Sequence, residues 1–104
     1  MATDKEIKLV AQLLEKTKTR SITWEPTAKD DEFVSTLRGN VSFTVGPSHA
    51  TTLLTMMDEL ERVLVTIASN SIIQVSELHA EARRQALNVD ESLDSVLDQL
   101  GRMG

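Results

Sequence analysis

The chain is expected to fold as an α+β protein: an N-terminal helix, an antiparallel sheet of about five strands, and a C-terminal helical segment packed with the first helix on one face of that sheet. Three observations carry this expectation. Apolar residues recur at helical period near both ends of the chain, short runs between them alternate β-branched or aromatic residues with polar ones, and turn-forming residues separate those runs. With 104 residues the chain is one domain by length, residues 1–104. Its 40% hydrophobic and 26% charged residues lie in the ordinary globular range, away from the composition of disorder.

The elements follow in order. Thr3-Asp-Lys-Glu6 has the form of a capping box, so a helix should follow. Ile7, Val10, Leu13, Leu14 and Thr17 form its core stripe, widened by Leu9 and Ala11; Lys5, Lys8, Glu15, Lys16 and Lys18 solvate the rest, and the helix should end near Thr19. Three strands of a meander come next. Ile22 and Trp24 alternate with polar residues before Pro26, Phe33 to Leu37 runs up to Gly39-Asn40, and Val41, Phe43 and Val45 alternate with Ser42 and Thr44 before Gly46-Pro47. Trp24, Phe33 and Phe43 are assigned to the core.

Residues 51–67, TTLLTMMDELERVLVTI, admit two readings. At helical period Leu53, Met56, Met57, Leu60, Val63, Leu64 and Ile67 make an amphipathic stripe; at period two, Leu54 and Met56 match Val63, Val65 and Ile67 across a turn at residues 58–61. The threonines and the VLVTI run favour the hairpin, because branching at Cβ suits a pleated surface. In the tail, Ala82, Ala86, Val89, Leu93, Val96 and Leu100 repeat at steps of four and three, as in a helix buried along one side. Asn88, three residues before Glu91, suits a new N-cap, so a short interruption is favoured over one continuous helix, and Gly101 should end the segment.

Several segments together resemble a family of small uncharacterised bacterial and phage-borne proteins. They are Leu13-Leu-Glu-Lys-Thr-Lys18 followed by Trp24, Asp30-Asp-Glu-Phe-Val34, Asp58-Glu59 with Arg62-Val-Leu64, and ARRQALNVDESLDSVL at residues 82–97. The resemblance spans nearly the whole chain, but its motifs are structural and assign no chemistry. In the family pattern a turn glycine follows the Asp-Glu pair between two strands, which favours the hairpin over the helix for residues 51–67. This sequence departs there: Glu61 stands where that glycine would be, and Leu60 and Met57 occupy positions that are more usually polar. A turn longer than the two-residue primed type is therefore expected.

Composition excludes several functions. The chain has no cysteine, which removes disulfides, thiolate zinc sites and thiol nucleophiles and fits a reducing cytoplasm. The charged N-terminal stretch does not read as a signal peptide, and no apolar run is long enough to span a membrane. The net charge of -5 falls entirely in residues 46–104, which repels phosphate, and with one Trp, two Phe and no Tyr there is no stacking platform, so nucleic-acid binding is not expected.

Candidate chemistry is sparse. His79 and Arg83 share a helix face near Glu77 and Glu81, but His79 lacks a second imidazole and His49 lies in a loop after Pro47, so both read as structural or solvated. Asp30-Asp-Glu32 lacks the glycines and fixed offsets of a cation loop and reads as a solvated tip. No nucleophile elbow or phosphate-cradling loop is present. The reading is therefore not an enzyme, with no cofactor and no metal. Whichever alternating set of residues 51–57 points inward, Leu53 and Met57 or Leu54 and Met56 stay outside, with Leu60 at the turn; contiguous wet apolar groups tend to mark interfaces. The first functional expectation is a protein–protein interaction module, a homodimer joined through this hairpin or along the C-terminal seam, with Leu53, Met57 and Leu60 in contact. The alternative is a small-ligand or anion-binding protein using Arg83 and Arg84 beside Trp24.

Overall fold

A computed structural model describes residues 3–38 and 41–103; the expected turn at Gly39-Asn40 and the Val89 side chain lie outside the described residues. The expected fold class is the observed one. Helix α1 (Asp4–Lys18) is followed by strands β1 (Glu25–Pro26), β2 (Phe33–Leu37), β3 (Val41–Ser48), β4 (Thr51–Met57) and β5 (Val63–Ala68), then helices α2 (Gln74–Ala86) and α3 (Val89–Arg102). The strands form one antiparallel meander in the order β1-β2-β3-β4-β5. Helix α2 lies against α1 and against β1 to β4.

The capping box closes α1 as its sequence demands. Glu6 N–H donates to Thr3 Oγ1 at 3.2 Å, and Thr3 N–H donates back to Glu6 Oε1 at 2.8 Å. Four residues of the predicted stripe, Val10, Leu13, Leu14 and Thr17, are buried, while Ile7 stays about half exposed at 49%. The register explains the rest of the core. Phe33, Val45, Leu54 and Ile67 form one row across β2 to β5, and Ser35, Phe43, Met56 and Val65 form the next, all on the helix-covered face. Trp24, Phe33 and Phe43 are buried.

Two strand boundaries differ from the alternation pattern. β1 begins at Glu25 rather than near Ile22, because the Trp24 backbone N–H is taken by the Gln85 side chain instead of a ladder partner. β3 continues through Gly46-Pro47 to Ser48. Thr52 C=O accepts from Ser69 N–H, so Thr52 faces β5 and its register partner Pro47 faces away from β4. Proline's missing donor thus falls beyond the end of β2, where nothing needs it. Gly46 is required for another reason: a Cβ there would stand 3.0 Å from Glu32 Cβ.

Residues 51–67 are a hairpin, with Met57 pairing Val63, Met56 pairing Val65, and a bulge between. The Asp58 side chain builds the turn. Its Oδ1 accepts from Leu60 N–H (2.9 Å) and Arg62 N–H (3.0 Å), its Oδ2 accepts from Arg62 Nε (2.7 Å), and Glu61 takes the left-handed φ of 63° that a glycine would hold without strain. The Arg62 backbone N–H, then its guanidinium and Leu60 N–H, hold the Asp58 carboxyl below its ordinary value despite partial burial. A depressed carboxylate contributes stability that is present above its unfolded value, about 3.9, and is lost as pH falls through the folded one. Thermal melts should therefore show an Asp58→Asn deficit at pH 7 that shrinks as pH is lowered below about 4. A deficit constant from pH 7 to 3 would rule out this role for the charge.

The tail breaks at Asn88, as favoured, and Asn88 occupies the N-cap position of α3. Asn88 adopts left-handed φ 51°, ψ 47° and makes no side-chain cap hydrogen bond. Its conformation, which asparagine tolerates, ends α2 and starts α3 in another direction. Gly101 does not end α3, which continues to Arg102. The expected single buried seam is also corrected. Ala82 is fully buried and Ala86 partly so, whereas Leu93, Val96 and Leu100 are exposed, because α3 leaves the sheet at Asn88. The radius of gyration, 15.4 Å, exceeds the roughly 13 Å of a compact chain this long, and the extents are 53 × 27 × 25 Å.

Candidate functional site

The open face of the sheet is built from the residues between the buried rows. Thr44, Thr55 and Thr66 lie side by side across β3, β4 and β5; Gly46, Leu53 and Ala68 form the row on one side, and Ser42, Met57 and Val63 the row on the other. The hairpin thus resolves the choice left by alternation: Leu54 is buried and Met56 packs on the core, while Leu53 and Met57 take the open face, each half-buried. They line a shallow hollow of ≈ 600 Å³ together with Pro47, Glu61 and Val63. Leu60 stands at the turn, 67% exposed, and Val63 and Leu64 are also exposed. The three predicted contact residues are therefore on one hairpin, with Leu53 and Met57 on a shared surface.

Helix α3 supplies a second apolar surface. Leu93, Val96, Leu97, Leu100 and Met103 share one helix face at spacing i, i+3, i+4, i+7 and i+10, and every described side chain from Asp90 to Met103 is exposed. Asp90, Glu91, Asp94 and Asp98 lie along the same helix, with Arg102 at its end.

Arg83 and Arg84 are not brought together. Arg83 Nε lies 3.6 Å from Asp31 Oδ1 and lines a hollow with residues 26–33, whereas Arg84 Nη2 lies 3.1 Å from Asp90 Oδ1 and lines another with Thr17, Lys18, Arg20 and Gln85. Each guanidinium already has a carboxylate partner, and Trp24 is buried behind them, so the two arginines form no common clamp. His79 is pinned structurally: its Nε2 is 2.8 Å from Asp31 C=O, and its ring lies 5.8 Å from that of Phe33. Asp31, read from sequence as part of a solvated tip, instead fastens the β1–β2 connection to α2. His49 takes a left-handed turn position, φ 54°, between β3 and β4. Among the described residues no cluster of three or more His, Asp or Glu is placed to hold a metal, and no helix is long and apolar enough to cross a membrane.

Sequence reasoning missed a polar hub at the junction of α1, α2 and the segment before β1. Gln85 Oε1 accepts from Trp24 N–H at 2.6 Å, and Gln85 Nε2 donates to the carbonyls of Ile22 (3.0 Å) and Thr17 (3.5 Å). Thr17 Oγ1 accepts from Trp24 Nε1–H at 2.9 Å and donates to Leu13 C=O at 2.7 Å. The available signal was phase: Leu78, Ala82 and Gln85 follow one another at steps of four and three, which places an amide in the buried stripe. Beside the hub, Lys18 Nζ lies 2.7 Å from Glu77 Oε2, and that contact raises the lysine above its ordinary value while tying α1 to α2.

No family model, curated protein or solved structure matches the chain.

Proposed function

We propose that the chain is a non-enzymatic protein–protein interaction module that forms a homodimer in a reducing cytoplasm. One observation carries the reading: among the described residues, eight of the eleven exposed large apolar side chains gather at the β4–β5 hairpin and along α3, with Ile7, Ile73 and Leu87 apart. Each such side chain gains about 1.5–3 kcal/mol when taken out of water, and wet clusters of them mark contact surfaces. The acidic balance opposes nucleic acid as the partner, and the absence of cysteine suits the compartment.

Light scattering during size exclusion tests the reading. The chain should elute at twice its own mass at micromolar concentration, and Leu64→Lys, at an exposed position of the β4–β5 hairpin, should return it to the monomer with unchanged circular dichroism. Leu60→Lys, at an exposed turn position, is the companion that separates lost contact from lost fold. A monomer at every concentration would refute the proposal; if small carboxylic acids then raised its melting temperature, the anion-binding alternative would take its place.

A further inference from the structure

β5 is an edge strand, last in the sheet order; its six residues, Val63–Ala68, contain neither proline nor charge, and beyond the bulge at its start Val65–Ala68 pairs regularly with β4. The opposite edge differs: β1 is only two residues long and includes Pro26. Alternation identifies the free groups on β5. Ser69 N–H donates to Thr52 C=O, so Ser69, Ile67 and Val65 direct their backbone groups to β4, and Ala68 and Thr66 direct theirs outward, while Leu64 is the extra residue of the bulge. Ala68 C=O is occupied by Ser71 and Ile72 N–H as the chain turns toward α2. Among the described residues no side chain or turn takes the Thr66 N–H and C=O or the Ala68 N–H.

We propose that β5 pairs antiparallel with β5 of a second copy about a two-fold axis through Thr66, joining two sheets of five strands into one of ten. This rests on the self-association proposed above and names its surface. At the axis the two Thr66 residues exchange both backbone hydrogen bonds. Leu64 of each copy, at the bulge, comes opposite Ala68 of the other. The threonine hydroxyls and the Leu64–Ala68 contacts extend the open face from one copy into the next, and facing threonines are a favourable cross-strand pair.

Charge selects this surface over α3. Two chains of net charge -5 must meet where carboxylates do not. β5 itself, Val63–Ala68, carries no charged side chain, so the paired strands oppose no like charges. Helix α3 instead carries Asp90, Glu91, Asp94 and Asp98 against the one cation Arg102, so pairing two of them would bring two strongly acidic segments together.

The absence of cysteine makes the axis testable. Facing Cα atoms of a hydrogen-bonded antiparallel pair stand about 5.5 Å apart, within disulfide range. Thr66→Cys should therefore become a disulfide-linked dimer on mild copper-phenanthroline oxidation, whereas Leu97→Cys on α3 should remain monomeric on a non-reducing gel. Thr66→Pro removes the outward N–H without touching β4 and should weaken the dimer at least about tenfold while preserving the fold. A dimer that crosslinks through Leu97→Cys and not through Thr66→Cys overturns this register but keeps the self-association; a chain that is monomeric at all concentrations overturns both.

Discussion

Trp24→Ala is expected to lower the unfolding free energy by about 3–5 kcal/mol, among the largest losses from a single truncation in this chain. The indole is 3% exposed and sits where α1, the segment before β1 and α2 converge. Its removal leaves a cavity bounded by two helices that cannot both close on it, since Lys18–Glu77 and the Gln85 bonds fix their spacing. Thr17 Oγ1 also loses the donor it meets at 2.9 Å. Urea unfolding followed by far-ultraviolet circular dichroism measures the loss, because the chain's one tryptophan is the fluorophore being removed. Trp24→Phe, which keeps most of the volume and drops only the Nε1 bond, should cost about 1–2 kcal/mol. Equal losses for the two variants would mean the hydrogen bond, not the packing, dominates. For a domain whose whole margin is about 5–15 kcal/mol, that loss is a large share of the total, and the alanine variant should melt at a clearly lower temperature.

Gln85→Leu should cost about 2–3 kcal/mol although it replaces an amide with a better-packing side chain. The leucine leaves Trp24 N–H without its 2.6 Å acceptor and removes the donor to Ile22 and Thr17, and unpaired backbone groups in a partly buried junction bear the full desolvation cost. Gln85→Glu discriminates further. The carboxylate still accepts from Trp24 N–H but opposes two carbonyl oxygens, so its deficit should grow as pH rises through the carboxyl's titration, whereas that of Gln85→Leu should not change with pH. Urea midpoints at pH 4 and pH 7 read the contrast. A neutral Gln85→Leu would show that water replaces the amide at no cost.

Much of the architecture was legible because its determinants are local. The Thr3–Glu6 box, the period of Val10 to Thr17, and the alternation around Phe33 and Phe43 each name their element with a few neighbouring residues. The hairpin at 51–67 was legible only in part: its two periodicities agree on which residues are apolar and differ on geometry, and the arbiter is Asp58, whose carboxylate gathers three donors from the turn. The break at Asn88 was expected, but its consequence was not. A helix seam is visible as a spacing, while whether something lies against it depends on the direction the chain takes, which one left-handed residue sets. The same limit hid the Gln85 hub and separated Arg83 from Arg84, since neighbours in sequence on a helix point about 100° apart. Leu53 and Met57 lay within reach because a pleated strand divides its residues between only two faces.

The left-handed joint at Asn88 also gives α3 the mechanics of a lever. A helix of 14 residues is about 21 Å long, so a change of about 20° in the joint's torsions carries its tip through an arc of roughly 7 Å. Close to the pivot the Arg84–Asp90 pair holds the arm with little leverage; its far end, at Leu100 and Met103, amplifies any small rotation there into a displacement larger than a side chain.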